Sequence, residues 1–219
     1  VRISTDAIDH EIQKFTKEEI AEAFAMTYTE DGQVLALFTF NSNTIPGRTF
    51  VYNRTASVSS QKQVWFELQT GVTDAQWRVN AIVKAYGKLL VGDDVDGRIG
   101  YLDSNTYTEY SDTILNEATF QPFSEKGKRL FFGKLSAIFE SGVGLTSGQG
   151  SDPVVRMSFS KNGGRTYSSE FSRSIGKIGE YEQIPSWSRQ GNILFDRTIR
   201  LTITDPVVAN LLMVTVDAD

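Results

Sequence analysis

Cysteine is absent from all 219 residues, so neither a disulfide nor a thiolate zinc site can form within the chain. That leaves the redox compartment open. Histidine occurs once, at His10, which excludes a histidine-rich metal centre and leaves a serine triad without a convincing base. No stretch approaches 18 consecutive apolar residues, and the opening VRISTDAIDH lacks the charged-then-apolar pattern of a signal peptide. A membrane span and secretion by that route are therefore not expected. Valine at position 1 reads as the mark of a fragment or a processed product. Basic residues are outnumbered, 22 Lys and Arg against 27 Asp and Glu, for a net charge of −5. That balance argues against a basic platform for nucleic acid, because gripping phosphates draws on clustered cations. It does not exclude a wall that DNA slides past. At 40% hydrophobic residues, the chain can bury the core of one large or two small domains.

What is present reads mostly as short strands. The one convincing helix is N-terminal: Thr5 can cap it, and Ile8, Ile12 and Phe15 fall on one face, with His10 on the far side. Thr16 and Glu19 have the spacing of a capping box that opens one further helical turn. From Phe24 to Thr29 and from Gln33 to Phe40 the pattern is extended, and Glu30-Asp31-Gly32 between them is a hairpin signal. Val34 to Phe38 is apolar on both faces, as an inner strand covered on each side would be. Asn41 to Arg48 reads as a polar loop, Thr49 to Asn53 and Val64 to Leu68 as two more strands, and Ser57 to Lys62 as a short polar loop. A second series, Asn80 to Tyr86, Lys88 to Gly92, Arg98 to Leu102 and Tyr107 to Tyr110, repeats the four-strand pattern at a drifting, propeller-like spacing. Such packets cannot bury both faces alone, and stacking around an axis would cover them.

The later half differs. Arg129 to Glu140 reads as one long strand with Phe131, Leu135, Ala137 and Phe139 on one face, followed by a Gly- and Ser-rich loop, Ser141 to Ser151. Ile199, Leu201 and Ile203 alternate with polar residues until Asp205-Pro206, and Leu212, Val214 and Val216 suggest a closing strand. Between them, Val155, Met157 and Phe159 alternate into Asn162-Gly163-Gly164, and a second strand runs through Tyr167 and Phe171. A three-residue loop would set Phe159 opposite Tyr167 and Val155 opposite Phe171, the register that gathers apolar residues on one face. Ser160, Asn162, Gly164, Thr166 and Tyr167 also resemble a variant of the Asp-box, the Ser-x-Asp-x-Gly-x-Thr-aromatic hairpin of propeller blades. Asn162 stands for its Asp and Tyr167 for its Trp. Such a box is a folding device built on local hydrogen bonds.

Chemistry-bearing motifs are weak. Gly142-Val143-Gly144 has neither dinucleotide nor P-loop spacing and reads as a mobile loop. Asp93-Asp94-Val95-Asp96-Gly97 fits a calcium loop only at Asp94, Asp96 and Gly97, lacks the bidentate glutamate, and reads better as an Asp-Gly turn. Glu180 with Asp196 could be imagined as a glycosidase pair, but spacing in sequence does not give their separation. Trp65, Trp77 and Trp187 read as packing anchors rather than sugar platforms. Arg156, Arg165, Arg173, Arg189, Arg197 and Arg200 are numerous enough for a sialidase-like triad, yet no spacing marks one. No catalytic, cofactor-binding or metal-ligating residue is expected.

Several segments, in order along nearly the whole chain, resemble the packaged-DNA stabilisation or tail hub (nozzle) proteins of short-tailed phages. They are RISTDAIDHEI (Arg2 to Ile12), AFAMTY (Ala23 to Tyr28), FVYN (Phe50 to Asn53), WFEL (Trp65 to Leu68) and AYGKLLVGDDVDGRIGYLD (Ala85 to Asp103). ESGVG (Glu140 to Gly144), SFSKNGGRTYSSE (Ser158 to Glu170), GKIGEY (Gly176 to Tyr181) and TITDPV (Thr202 to Val207) continue the series. The family proteins are longer, so the match is expected to be to their C-terminal half. The resemblance implies an all-β chain of antiparallel four-stranded blades in a β-propeller-like fold, with one short N-terminal helix. Residues 1–115 would hold the helix and two blades. Residues 116–219 would hold further blades or a small β-sandwich with the Asp-box-like hairpin. It further implies a virion protein, present in the host cytoplasm during assembly, without enzymatic activity, cofactor or membrane partner. Copies would form a ring, expected as a hexamer, on the head–tail adaptor. That ring would retain packaged DNA, let it pass without specific binding, and dock tailspikes or fibres and the tail needle. The competing expectation, carried by the Asp-box variant, is a sialidase-like or other carbohydrate-processing or carbohydrate-binding propeller.

Overall fold

The computed structural model describes residues 2–124, 128–193 and 196–218; Val1 lies outside them. The described chain is mostly antiparallel sheet with three short helices, and it divides into two compact units, residues 1–105 and 106–219.

In the first unit, α1 (Asp6–Ile12) starts at Thr5, whose hydroxyl accepts from the Ile8 N–H, and α2 (Lys17–Ala21) carries the full Thr16/Glu19 capping box. Strands β1 (Phe24–Glu30) and β2 (Gln33–Phe40) meet through Asp31-Gly32, whose φ values of 47° and 77° are those of a two-residue type I′ turn. β3 (Arg48–Asn53) and β4 (Trp65–Leu68) complete a sheet in the order β1-β2-β3-β4. Even-numbered β2 residues Phe38 and Phe40 join Phe50, Trp65, Ile8 and Ile12 of α1, and Phe15 of the α1–α2 link on one face. Odd-numbered Leu35 and Leu37 join Val51, Met26, Tyr28 and Trp77 on the other. β2 is thus the doubly covered inner strand its composition predicts.

The polar loop expected between β3 and β4 is instead a helix, α3 (Arg54–Ser60). Asn53 caps it by accepting from the Ala56 N–H, Ser57 bridges the Asn53 carbonyl and the Val64 N–H, and Gln61 ends it at φ 55°. Ser- and Thr-rich helices have little intrinsic propensity, so this one is held by its caps and side-chain bonds. The next packet has three strands, β5 (Val79–Ala85), β6 (Lys88–Asp93) and β7 (Ile99–Leu102), again with a two-residue turn at Tyr86-Gly87. The fourth strand expected there does not join it: β8 (Thr108–Glu109) belongs to the second unit and pairs with β9 (Asp112–Thr113).

The second unit packs two sheets face to face. One holds β10 (Asn116–Thr119), β12 (Val154–Ser160), β13 (Phe171–Ser174) and β15 (Thr198–Ile203) in the order β10-β15-β12-β13. The other is β14 (Ser186–Ile193), β11 (Leu130–Phe139) and β16 (Leu211–Ala218) in the order β14-β11-β16. Leu135, Ala137 and Trp187 of the second sheet interlock with Val155, Met157, Ile199 and Leu201 of the first in one core. Two expected positions are corrected. Phe131 is 55% exposed, because a register shift at Gly133 turns Phe132 inward in its place. A second shift between Ile138 and Phe139 brings Leu211 to the core and leaves Leu212 in solvent.

Candidate functional site: a tied hairpin and a buried ion pair

β12 and β13 are joined by a long polar turn. The Ser160 hydroxyl donates to Asn162 Oδ1 (2.8 Å) and accepts from the Gly164 N–H (2.9 Å). Asn162 Oδ1 also accepts from the Thr166 N–H (3.0 Å), while its Nδ2 donates to the Thr166 hydroxyl (2.8 Å). Gly163 and Gly164 take φ values of 68° and 85°, which suit glycine. Asparagine therefore performs the turn-tying role expected of the box, and its amide adds a donor that a carboxylate lacks. The tied turn lengthens the loop and moves the register by two residues from the expected one. Met157, not Val155, faces Phe171, and Val155 faces Arg173. A shift of two keeps each side chain on its expected face.

The outer face of this sheet is a polar lattice. Arg156 Nε lies 3.1 Å from Glu170 and its Nη2 donates to Thr204. Arg200 pairs with Glu117 at 3.2 Å and lies over the Tyr167 ring. Arg197 is buried, donates to the Gln190 and Asn192 carbonyls, and stacks on Phe159; burial lowers its pKa. Arg173 donates to the Ser186 carbonyl. Four of the six arginines singled out in the sequence are thus bound into the sandwich itself; Arg200 touches both a carboxylate, Glu117, and a tyrosine, Tyr167, the latter through the face of its ring.

In the first unit the acidic turn is built around an arginine that sequence reasoning missed. Arg78 Nη2 approaches buried Asp93 at 2.6 Å and Asp96 at 3.1 Å, and Arg98 binds Asp96. Burial pushes the Asp93 carboxyl up, but hydrogen bonds from Arg78 and the Val95 N–H outweigh it and hold the pKa at about 2. Arg78 and Arg98 place cations against the carboxylates of this loop, and among the described residues no group of three or more His, Cys, Asp or Glu could hold a metal. The signal for Arg78 was its place just before β5, but only the fold brings it to Asp93. A cavity of about 280 Å³ opens nearby between β1 and β5, with Phe24 and Trp77 in its wall. Its polar lining is self-paired, Gln76 to Asn41 and Asn80 to Asp94, so no set of groups converges on a ligand.

The remaining candidates are dispersed. His10 is exposed on α1. Glu180 accepts from the Lys177 N–H within a local turn, whereas Asp196 accepts from the Gly163 N–H 33 positions away and ties the segment before β15 to the glycine turn. Trp187 donates to the Phe171 carbonyl across the two sheets and Trp65 to the Ile3 carbonyl, while Trp77 packs on the β2 core, so all three are anchors. The Gly142-Val143-Gly144 loop is pinned rather than loose: Ser141 donates to the Tyr181 carbonyl, and Gly144 sits against the Lys177-Ile178 backbone.

Two family models match these two units. One, described as the β-propeller of bacteriophage P22 Gp10, covers residues 1–107; the other, its β-sandwich, covers residues 123–219. The chain belongs to the bacteriophage P22 Gp10 family. No curated protein matches it. Within this Gp10-family chain the Arg78–Asp93 pair falls in the propeller match, and the Asp-box-like hairpin falls in the sandwich match. Gp10 membership makes the protein a structural component of the phage tail, of the hub and stabilisation class, and associates it with the virion. No helix among the described residues is long and apolar enough to cross a membrane.

Proposed function

We propose that the protein forms part of a tail hub that continues the head–tail channel, helps retain packaged DNA and docks other tail components. The observation that carries this reading is the family match on both units, blade-forming and sandwich alike. Side-chain chemistry supports it: two of the arginines that a sugar site would draw on are held in the ion pairs Arg156–Glu170 and Arg200–Glu117. In this reading residues 1–115 supply blades, residues 116–219 supply the sandwich, and neither performs catalysis or carries a cofactor. Copies assemble in the host cytoplasm into a hexameric ring on the head–tail adaptor and present surface to tailspikes or fibres and to the needle. A net charge of −5 suits a wall along which DNA moves, since like charge keeps the phosphate backbone from sticking.

Negative-stain imaging of the protein mixed with the tail adaptor tests this. Rings capping the adaptor are the expected result, and persistent free monomers overturn it. Turnover of aryl sialosides or receptor polysaccharide by the purified protein would overturn the non-enzymatic part.

A further inference from the structure

Asn162-Gly163 is the only Asn-Gly pair in the chain, and both residues are exposed in the turn between β12 and β13. Glycine has no Cβ to shield its nitrogen, and apart from chain neighbours no atom lies within 4 Å of where a Cβ on Gly163 would stand. In an unconstrained chain such a pair loses ammonia. The Gly163 nitrogen gives up its proton and bonds to Asn162 Cγ, the Cγ–Nδ2 bond breaks, and Nδ2 leaves with that proton as ammonia. Water then opens the resulting succinimide at either carbonyl, leaving aspartate or isoaspartate at position 162. Water is the sole co-reactant, and nothing is oxidised or reduced.

The fold has engaged every group this reaction uses. Asn162 Oδ1 accepts from the Ser160 hydroxyl and the Thr166 N–H, and Nδ2 donates to the Thr166 hydroxyl. The Gly163 N–H donates to Asp196 Oδ2 at 3.1 Å. Three bonds hold the amide in one pose, which closes the torsional search by which a free asparagine finds its near-attack geometry. Attack turns Cγ tetrahedral and expels Nδ2, so these bonds must break or reorient. The nitrogen must also shed its proton beside the Asp196 carboxylate, where a second negative charge is unfavourable.

We propose that Asn162-Gly163 is a deamidation site gated by the sandwich fold, silent while the turn is tied and Asp196 holds the Gly163 N–H, and reactive once that tie opens. The two products have different fates. Aspartate fits the turn: its carboxylate still accepts from Ser160 and from the Thr166 N–H, and the Thr166 hydroxyl changes from acceptor to donor. Isoaspartate puts an additional methylene into the main chain and shifts the carboxylate away from those partners. Modification at position 162 is therefore a chemical record of how often this hairpin opens.

The folded protein and the same protein unfolded in guanidinium chloride are held at one mildly alkaline pH and one temperature. Peptide mapping by mass spectrometry follows position 162 and separates aspartate from isoaspartate. The folded protein should react at least ~100-fold more slowly, because only its opened fraction is competent. Asp196→Ala should speed the reaction in the folded state by ~10-fold, the worth of one charge-assisted hydrogen bond, with the circular dichroism unchanged. Hydrogen exchange on the unsubstituted protein stands in if that variant fails to fold: a protected Gly163 amide supports the gate, and free exchange there overturns it. Equal rates in the folded and unfolded protein overturn the proposal. So does a faster reaction in the folded protein, which would mean that Ser160 and Thr166 polarise an amide already placed for attack. An Asp196→Ala protein that stays folded and reacts no faster overturns it as well.

Discussion

In the second unit, side chains from two sheets share one continuous core, with Trp187 at 1% exposure near its centre. The first unit is built otherwise, with a separate small cluster on each face of the β1–β4 sheet. A sandwich covers its inner faces by itself. A blade must take its cover from neighbours, here α1 with Phe15 on one side and Trp77 on the other, and the β5–β7 packet still has a bare face. The difference teaches that stability is local in the sandwich and shared in the blades.

Trp187→Ala is the largest test of that contrast. It should destabilise the sandwich by about 3–5 kcal/mol through cavity formation and the loss of the bond to the Phe171 carbonyl. Calorimetry should show the transition of residues 106–219 falling while that of residues 1–105 stays. A common shift of both transitions would break the comparison.

Arg78→Met probes the blade side at nearly the same size. It removes the 2.6 Å partner of the buried Asp93 carboxylate and leaves only Arg98, at 3.7 Å, at a cost of about 3–5 kcal/mol near neutral pH. The pH dependence separates this from a packing loss. In the native chain the Asp93 pKa is lowered from 3.8 to about 2, so its contribution is complete above pH 3.8 and fades as pH falls through 2. In the variant, burial without Arg78 raises that pKa, so the deficit relative to the native chain should shrink on acidification. Urea unfolding at several pH values reads both; a constant deficit would count against the ion pair.

Asn162→Ala should cost about 1–2 kcal/mol, by removing the acceptor for the Thr166 N–H and the partner of Ser160, and Asn162→Asp should recover most of it. Chemical denaturation of the three proteins decides this. Smallest of all, Phe131→Ala and Leu212→Ala should change stability by less than about 0.5 kcal/mol, whereas Phe132→Ala should cost about 3–5 kcal/mol. Equal effects at 131 and 132 would mean the shift at Gly133 does not turn the strand.

Much of this was legible in one dimension. Thr5, the Thr16/Glu19 box, Asp31-Gly32 and the ties from Ser160 and Asn162 act within a few residues, so their signals survive in the sequence. The helix at Arg54–Ser60 was missed because its composition is poor and its support comes from Asn53 and Val64. Phe131 and Leu212 were misplaced because strict alternation cannot foresee a bulge. Of the candidate residues, the tryptophans were correctly read as anchors, while Arg78 and the structural engagement of Arg197 were invisible. Arg78 reaches its partner across fifteen positions of chain and Arg197 reaches carbonyls on a neighbouring strand.

The amino-acid order alone determined most strands of the first unit, the Asp31-Gly32 turn, the Thr5 and Thr16/Glu19 caps and the acidic, cysteine-free character, since each depends on near neighbours or on simple composition, whereas β9, β10 and β14 left no such signal. Only the tertiary structure decided that β15 lies between β10 and β12, that β11 sits between β14 and β16, and that Thr108–Glu109 abandons the β7 edge. Those outcomes depend on which distant strands bury the most apolar surface in register, a competition among pairings that no single segment encodes.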